Sequence, residues 1–228
     1  MPKKDELTDF YKKMPKEFKP KYRNPNYKKH LLNVPFRGLI VGGSGSGKTT
    51  LVLEIIQRMS KTFEKIILCC KQPDEPLYKL LQSKLHKDQI DVYEGGDIPS
   101  LEQYADFDGQ ILMIFDDLMN EKDQSDVVEW FIRGRKIAGG VSMIYLTQSY
   151  YRCPKTVRLQ CNYILLKKLT SMKDLQNILE DFNLGVDKIK LLSIYKDATK
   201  ERRDFLTIDV DEVPEKRFRE NFLNIITM

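Results

Sequence analysis

No window of this 228-residue chain holds the ~20 consecutive apolar residues that a membrane-spanning helix needs, although 41% of its positions are apolar. That argues against spanning helices and leaves enough apolar surface for a core. Histidine and cysteine are scarce: His30 and His86, then Cys69, Cys70, Cys153 and Cys161. No two cysteines form a C-x-x-C pair, and neither histidine stands beside one. This disfavours a zinc site and favours buried, reduced thiols. The charged N-terminus lacks the apolar stretch of a secretory signal. We therefore expect an intracellular, reducing compartment. Internal repeats and low-complexity tracts are also missing, and the length suits one domain with small additions.

Charge is plentiful but unevenly placed. Residues 1–34 carry ten Lys or Arg against four Asp or Glu, an excess of six, while the whole chain has a net charge of +5. The basic excess thus lies in the leading segment. Pro2, Pro15, Pro20 and Pro25 break long helices there. We expect an irregular arm over 1–34, with one short helix near 5–13, ahead of a domain over 35–228. Phe10, Tyr11, Phe18, Tyr22 and Tyr27 interleave the basic residues. Two readings stay open: contact with nucleic acid, or a solvated extension that packs its aromatics on the domain or a neighbouring subunit.

The most informative stretch is Arg37-Gly-Leu-Ile-Val-Gly-Gly-Ser-Gly-Ser-Gly-Lys-Thr-Thr50. Leu39-Ile40-Val41 reads as a buried strand, Gly42 to Gly47 as a turn, and Lys48 as the start of a helix with an apolar face. Gly42, Gly47, Lys48 and Thr49 satisfy G-x-x-x-x-G-K-[ST] in full. Glycine-rich backbone over Gly42, Gly43, Ser44, Gly45, Ser46 and Gly47 can turn successive N–H groups toward phosphate oxygens. The helix N-terminus at Lys48, Thr49 and Thr50 adds partial positive charge and free donors. In this pattern Lys48 reaches the β- and γ-phosphates of ATP, and the Thr49 hydroxyl is a ligand of Mg²⁺.

Strand and helix signals alternate along the rest. Strands are expected at 37–42, 65–71, 90–93, 110–117, 141–147 and 162–167, the last closing the main sheet. Helices are expected at 48–60, 75–84, 99–105, 121–136, 171–183 and 187–195, with one or two turns at 154–159. An edge strand over 204–210 and a terminal helix over 214–222 complete the reading. The alternation predicts an α/β fold, a mostly parallel sheet with helices on both faces, binding ligands at its carboxyl edge.

Ile111-Leu-Met-Ile-Phe-Asp-Asp117 supplies the second part of a phosphate-transfer site. Asp116 at the strand end is placed to hold Mg²⁺, mostly through water. Asp117 is expected to face the other way, either polarising the attacking water or capping the next helix. Gln148, at the end of a later strand, either senses the γ-phosphate or makes a turn. Guanine-specific signatures are missing: Asp117 is followed by Leu118, Met119 and Asn120 rather than Asp-x-x-Gly, and Thr199-Lys200 is followed by Glu201-Arg202. A Leu-Ser-Gly-Gly-Gln transporter motif is missing too.

Gly42 to Thr49, Ile111 to Asp117, Gly134-Arg-Lys136 and Leu146-Thr-Gln-Ser-Tyr-Tyr-Arg-Cys-Pro-Lys-Thr-Val-Arg158 resemble the FtsK–HerA family of P-loop ATPases. More narrowly, they resemble genome-packaging ATPases of poxviruses, other large DNA viruses and virophages. The resemblance runs from about Pro35 to Lys168. It implies a three-layer P-loop NTPase with a RecA/ASCE-like sheet, in which the Gln148 strand lies between the loop strand and the Asp116 strand. It also implies a ring of five or six subunits, with an arginine donated to the neighbour's ATP. Arg135 matches the family's Gly-Arg-His/Lys position, and Arg158 and Arg133 are alternatives. Double-stranded DNA is the implied partner, gripped through its phosphates regardless of sequence. The arm, Lys167, Lys168 and Lys173 are candidate contacts. Capsid proteins are a further implied partner, and the implied setting is host cytoplasm or viral factory, with virion association. Asp117 departs from the many relatives that carry Glu there. The implied activity is ATP-driven packaging of viral duplex DNA into a capsid. The alternatives are a helicase-like or conjugation-type pump, a P-loop kinase of small molecules, and a nucleotide-gated assembly protein without catalysis.

Overall fold

The computed structural model describes residues 8–19, 21–118, 121 and 123–227. The leading segment contains α1 (Phe10–Lys13), capped by the Asp9 side chain, which accepts from the Lys12 amide. Residues 5–7 of the short helix expected there lie outside the described residues. From Tyr22 to Leu32 the segment is fastened to the body. Gln110 Nε2 donates to the Arg23 carbonyl (3.0 Å), Asn26 Nδ2 to the Ser60 carbonyl (2.8 Å) and Arg58 to the Lys29 carbonyl (2.8 Å). Arg23 pairs with Glu64, and His30 and Leu32 are fully buried. Phe10 and Phe18, by contrast, are 75% and 70% exposed.

The body alternates as expected: β1 (Arg37–Val41), α2 (Lys48–Arg58), β2 (Lys65–Cys70), α3 (Pro76–Lys84), β3 (Ile90–Glu94), β4 (Ile111–Asp116), α4 (Ser125–Arg133), β5 (Val141–Thr147), α5 (Lys155–Gln160), β6 (Tyr163–Leu166), α6 (Lys173–Asp181), α7 (Lys188–Ala198), β7 (Leu206–Asp209), β8 (Phe218–Glu220) and β9 (Asn224–Ile225). The expected helix at 99–105 is a 3₁₀ turn, Leu101–Tyr104. The expected helix at 121–136 is shorter, and ends in a second 3₁₀ turn, Gly134–Lys136.

The nine strands among the described residues form one sheet, in the order β3-β2-β4-β5-β1-β6-β7-β8-β9. The six strands from β3 to β6 are parallel neighbours. The five from β2 to β6 have near-continuous apolar sequences, which follow from burial on both faces; β3, Ile90-Asp-Val-Tyr-Glu94 at the edge, is only partly buried. Alternate residues sort cleanly between the two sides. Ile40, Leu68, Leu112, Ile114, Ile144 and Leu165 meet Leu51, Val52 and Ile55 of α2 and Tyr78 and Leu81 of α3. Leu39, Ile67, Met113, Phe115, Tyr145 and Ile164 meet Trp130 and Phe131 of α4, Val157 of α5, and the inner faces of α6 and α7. Trp130 keeps its indole N–H satisfied at the Pro99 carbonyl, 2.8 Å away.

The carboxyl-terminal quarter departs from the sequence expectation. Strand β6 does not close the sheet, because β7, β8 and β9 extend it antiparallel. Strand β7 is therefore internal rather than an edge, and all four of its residues are buried. Residues 214–222 form no helix: a 3₁₀ turn at Pro214–Lys216 leads into β8. Within β8 Phe218 enters the core beneath α4 to α7, while its neighbour Arg219 pairs with Asp209 at 3.3 Å in the interior; Phe222, past the strand end, joins the other core. Adjacent residues Phe218 and Arg219 are thus both buried on different partners, as the alternating faces of a strand allow.

Buried His30 accepts the Leu32 amide at Nδ1 (3.0 Å). Burial, helped by Arg58 and Arg219, pushes its imidazole down to about 4. An unfolded imidazole, near 6.5, takes its proton first, so His30 contributes stability at neutral pH that is lost as pH falls from about 6.5 to 4. The full difference is on the order of 3 kcal/mol. Asp209, raised by burial to about 6, has the opposite slope below pH 6, so the chain's total acid response mixes both. Replacing His30 by Asn keeps an acceptor for Leu32 and removes the first slope alone. Thermal melts from pH 7 to 4.5 should show the wild type losing Tm faster than His30→Asn.

Candidate active site

The site lies where β1, β5 and β4 end together. Val41 is in register with Thr147, and Leu146 with Asp116. Beyond Val41 the loop is tied to its neighbours on both sides. The Gly42 amide donates to the Thr147 carbonyl (3.1 Å) and the Gly43 amide to the Lys168 carbonyl (2.9 Å). Gly42 has no room for a side chain: a Cβ would come within 2.5 Å of Ser46 Oγ and 2.7 Å of Lys167 Cβ. Gly45 and Gly47 have φ of 69° and 87°, the left-handed region where glycine is unstrained. Gly47 hands the chain to α2 with no capping side chain, leaving that helix end to an outside acceptor.

Lys48 bends back over the loop and donates to the carbonyls of Gly42 (2.9 Å) and Gly43 (3.2 Å). Partial burial lowers its pKa, opposed by the nearby carboxylates of Asp116, Asp117 and Glu75. Ser46 Oγ is buried without a partner. A desolvated ammonium, an orphaned hydroxyl and a bare helix end are a set that a phosphate chain satisfies. Thr49 is partly buried on the first turn of α2. Among the described residues no group of three or more His, Cys, Asp or Glu could hold a metal. Mg²⁺ on a nucleotide needs none, since it takes one or two protein oxygens with phosphate and water. Thr49 and Asp116 fit that role.

Asp116 is partly buried, and its pKa is raised by desolvation, against the pull of Tyr78 and Lys48. The buried Tyr78 hydroxyl donates to Asp116 Oδ2 at 2.5 Å. Asp117 does not turn to the opposite side. The strand has ended, Asp117 has a φ of 57°, and both acids line one cleft with Glu75, Tyr78 and Lys71. That left-handed turn is tolerable for Asp. Glu75, just before α3, has its pKa raised by burial and by Asp116. Glu75 and Tyr78 were invisible to sequence reasoning, because only the β2–β4 pairing carries α3 to the acid. Gln148 follows Thr147 directly, so it sits at the sheet edge between the loop and Asp116.

The arginine candidates separate clearly. Arg158 is 93% buried, pairs with Asp181 at 2.9 Å, and stacks over the Tyr150 ring at 4.7 Å. It is committed within its own fold. Arg133 pairs with Glu129 on the same helix. Arg135 is exposed, on the turn that leads into the amino end of β5. The seven residues of β5, at about 3.3 Å each, put it roughly 20 Å from its own loop. Lys167 is buried, its ammonium donating to the Arg203 carbonyl at 2.6 Å, so it is closed to DNA; Lys168 and Lys173 are exposed.

Together these features define a P-loop ATPase of the FtsK–HerA type, with the glutamine strand between the loop strand and the acid strand. The chain belongs to the poxvirus A32 protein family, which matches residues 24–83 and 96–220. No individual curated protein matches it by sequence. Among solved structures, the genome packaging NTPase B204 from Sulfolobus turreted icosahedral virus 2 is similar in fold. It has 17% identity and a TM-score of 0.56, over 79% of this chain and 94% of that one. The same protein in complex with ATP-gammaS gives 18% identity, a TM-score of 0.56 and coverage of 79% and 95%. The cytoplasmic domain of the Thermomonospora curvata type VII secretion ATPase EccC is 15% identical, with a TM-score of 0.50, over 78% of this chain and 24% of that one.

Truncating Arg158 strands Asp181 in the interior, a change that costs about 3–5 kcal/mol. Arg158→Ala should therefore lower the melting temperature by many degrees, and Arg135→Ala should leave it within a degree or two. Differential scanning calorimetry of the two variants separates the roles.

Proposed function

We propose that this protein is an ATP-hydrolysing motor that packages viral double-stranded DNA into a capsid, working as a ring of identical subunits. The observation that carries the reading is the convergence of Lys48, Asp116, Asp117 and Gln148 at one sheet edge, in a chain of the A32 family. In this reading the Gly42 and Gly43 amides, spent on strand carbonyls, only fix the loop, while the amides of Ser44, Gly45 and residues 47–50 and the Lys48 ammonium bind the triphosphate of ATP. Thr49 and Asp116 hold Mg²⁺, which when bound neutralises charge developing on the transferring phosphoryl group.

Asp117 accepts a hydrogen bond from the attacking water and orients it in line, and Gln148 donates to the γ-phosphate or that water. Arg135, too far from its own loop, reaches the ATP of the next subunit. Such a finger is worth roughly 10³–10⁵ in rate where it has been characterised. The basic arm, Lys168 and Lys173 contact DNA phosphates. No described helix is long and apolar enough to cross a membrane, and the setting proposed is the infected cell, in its cytoplasm or viral factory, with association to the virion through capsid proteins.

Phosphate release with and without duplex DNA, beside native mass measurement of the assembly, tests the reading. Turnover needing Mg²⁺ and rising with duplex DNA is expected; indifference to adenosine nucleotides at any concentration would overturn it. Lys48→Ala should abolish turnover while the domain still melts cooperatively. Arg135→Ala should lose at least 100-fold in kcat yet bind nucleotide normally. Mixed with Asp117→Ala it should regain some turnover, because hybrid rings hold some sites with both groups intact; mixtures as inactive as their parents would exclude a finger in trans.

A further inference from the structure

We propose that Tyr78 is a positioning residue of the active site: its hydroxyl holds one oxygen of Asp116, and so selects the other for the magnesium shell. This rests on the reading of Asp116 as a Mg²⁺ ligand. The geometry is specific. Tyr78 is 1% exposed, its ring packed in the core beside α2, and its hydroxyl donates to Asp116 Oδ2 at 2.5 Å. A phenol offers one O–H donor, and the carboxylate is the acceptor it meets.

An Asp side chain at the end of a strand has a broad χ2 and can present either oxygen to a ligand. The bond to Tyr78 removes that freedom. The phenol sits on the first turn of α3, and α3 is fixed against the sheet by Tyr78 itself and Leu81. The bond occupies Oδ2. The carboxylate also accepts from the Asp117 amide, and Oδ1 is the oxygen we assign to water and metal in the cleft that Asp116 lines with Tyr78, Asp117, Glu75 and Lys71. Partners of this kind, one shell behind a metal ligand, typically change metal affinity or activity 10–100-fold when removed.

The test uses Tyr78→Phe, which keeps the ring and deletes only the donor. It also uses p-aminophenylalanine at position 78, which restores an N–H donor at the same place. Mn²⁺ affinity is measured by electron paramagnetic resonance on the full chain with a non-hydrolysable ATP analogue, alongside analogue binding in EDTA. Tyr78→Phe should weaken Mn²⁺ binding at least 10-fold, raise the Mg²⁺ concentration for half-maximal turnover to match, and leave binding in EDTA unchanged. The amino variant should recover most of the loss, and it remains informative if the Phe variant folds poorly. Unchanged Mn²⁺ affinity in Tyr78→Phe, or no recovery with the amino variant, would overturn the assignment. Failure of the wild type itself to bind Mn²⁺ with the analogue would instead overturn the underlying reading of Asp116.

Discussion

The pairing of β5 with both β1 and β4 is the constraint on which the site depends. It brings three strand ends level and extends the ladder one step further, through the Gly42 amide on the Thr147 carbonyl. Without that bond the glycine loop has no fixed height relative to Asp116. With it, Lys48, Gln148 and Asp116 share one edge although they lie far apart in the chain. Parallel strands are joined by helical crossovers, so each end is followed by a turn at this same edge.

Around that edge the structure concentrates cost. A lysine is desolvated against carbonyl oxygens, and Asp116, Asp117 and Glu75 crowd one small cleft. A serine hydroxyl is buried unpaired. Each feature is unfavourable alone, and each is one that a magnesium-bound triphosphate would relieve. The remainder of the fold is conventional by comparison: two apolar layers, a satisfied indole, and an internal Arg158–Asp181 pair with an aromatic lid. That division is expected where binding energy is reserved for a ligand rather than for the protein's own stability.

The loop after Gln148 links this edge to α6. Ser149 Oγ and the Tyr151 amide donate to Asp174 at 3.3 and 3.2 Å, and the Tyr150 hydroxyl donates to Asp181 at 2.8 Å. Three consecutive loop residues after the glutamine are therefore anchored to a single helix. A motor needs some such rigid connection if phosphate geometry is to move other parts of the subunit.

Residues close together in the chain were legible from the chain. The strand–loop–helix of 37–58, the apolar run ending at Asp116 and the strand before Gln148 each declare themselves through local pattern, because apolar periodicity, glycine spacing and a terminal acid are short-range signals. Tertiary structure decided the rest. It showed that Arg158 is an internal strut and Lys167 a buried brace, that Asp117 shares the cleft of Asp116, and that residues 206–225 complete a sheet instead of ending in an edge and a helix. It alone brought Tyr78 to Asp116. Those outcomes turn on which strand lies beside which, and the free energy that decides it is spread over two apolar layers, so no local stretch of sequence carries it.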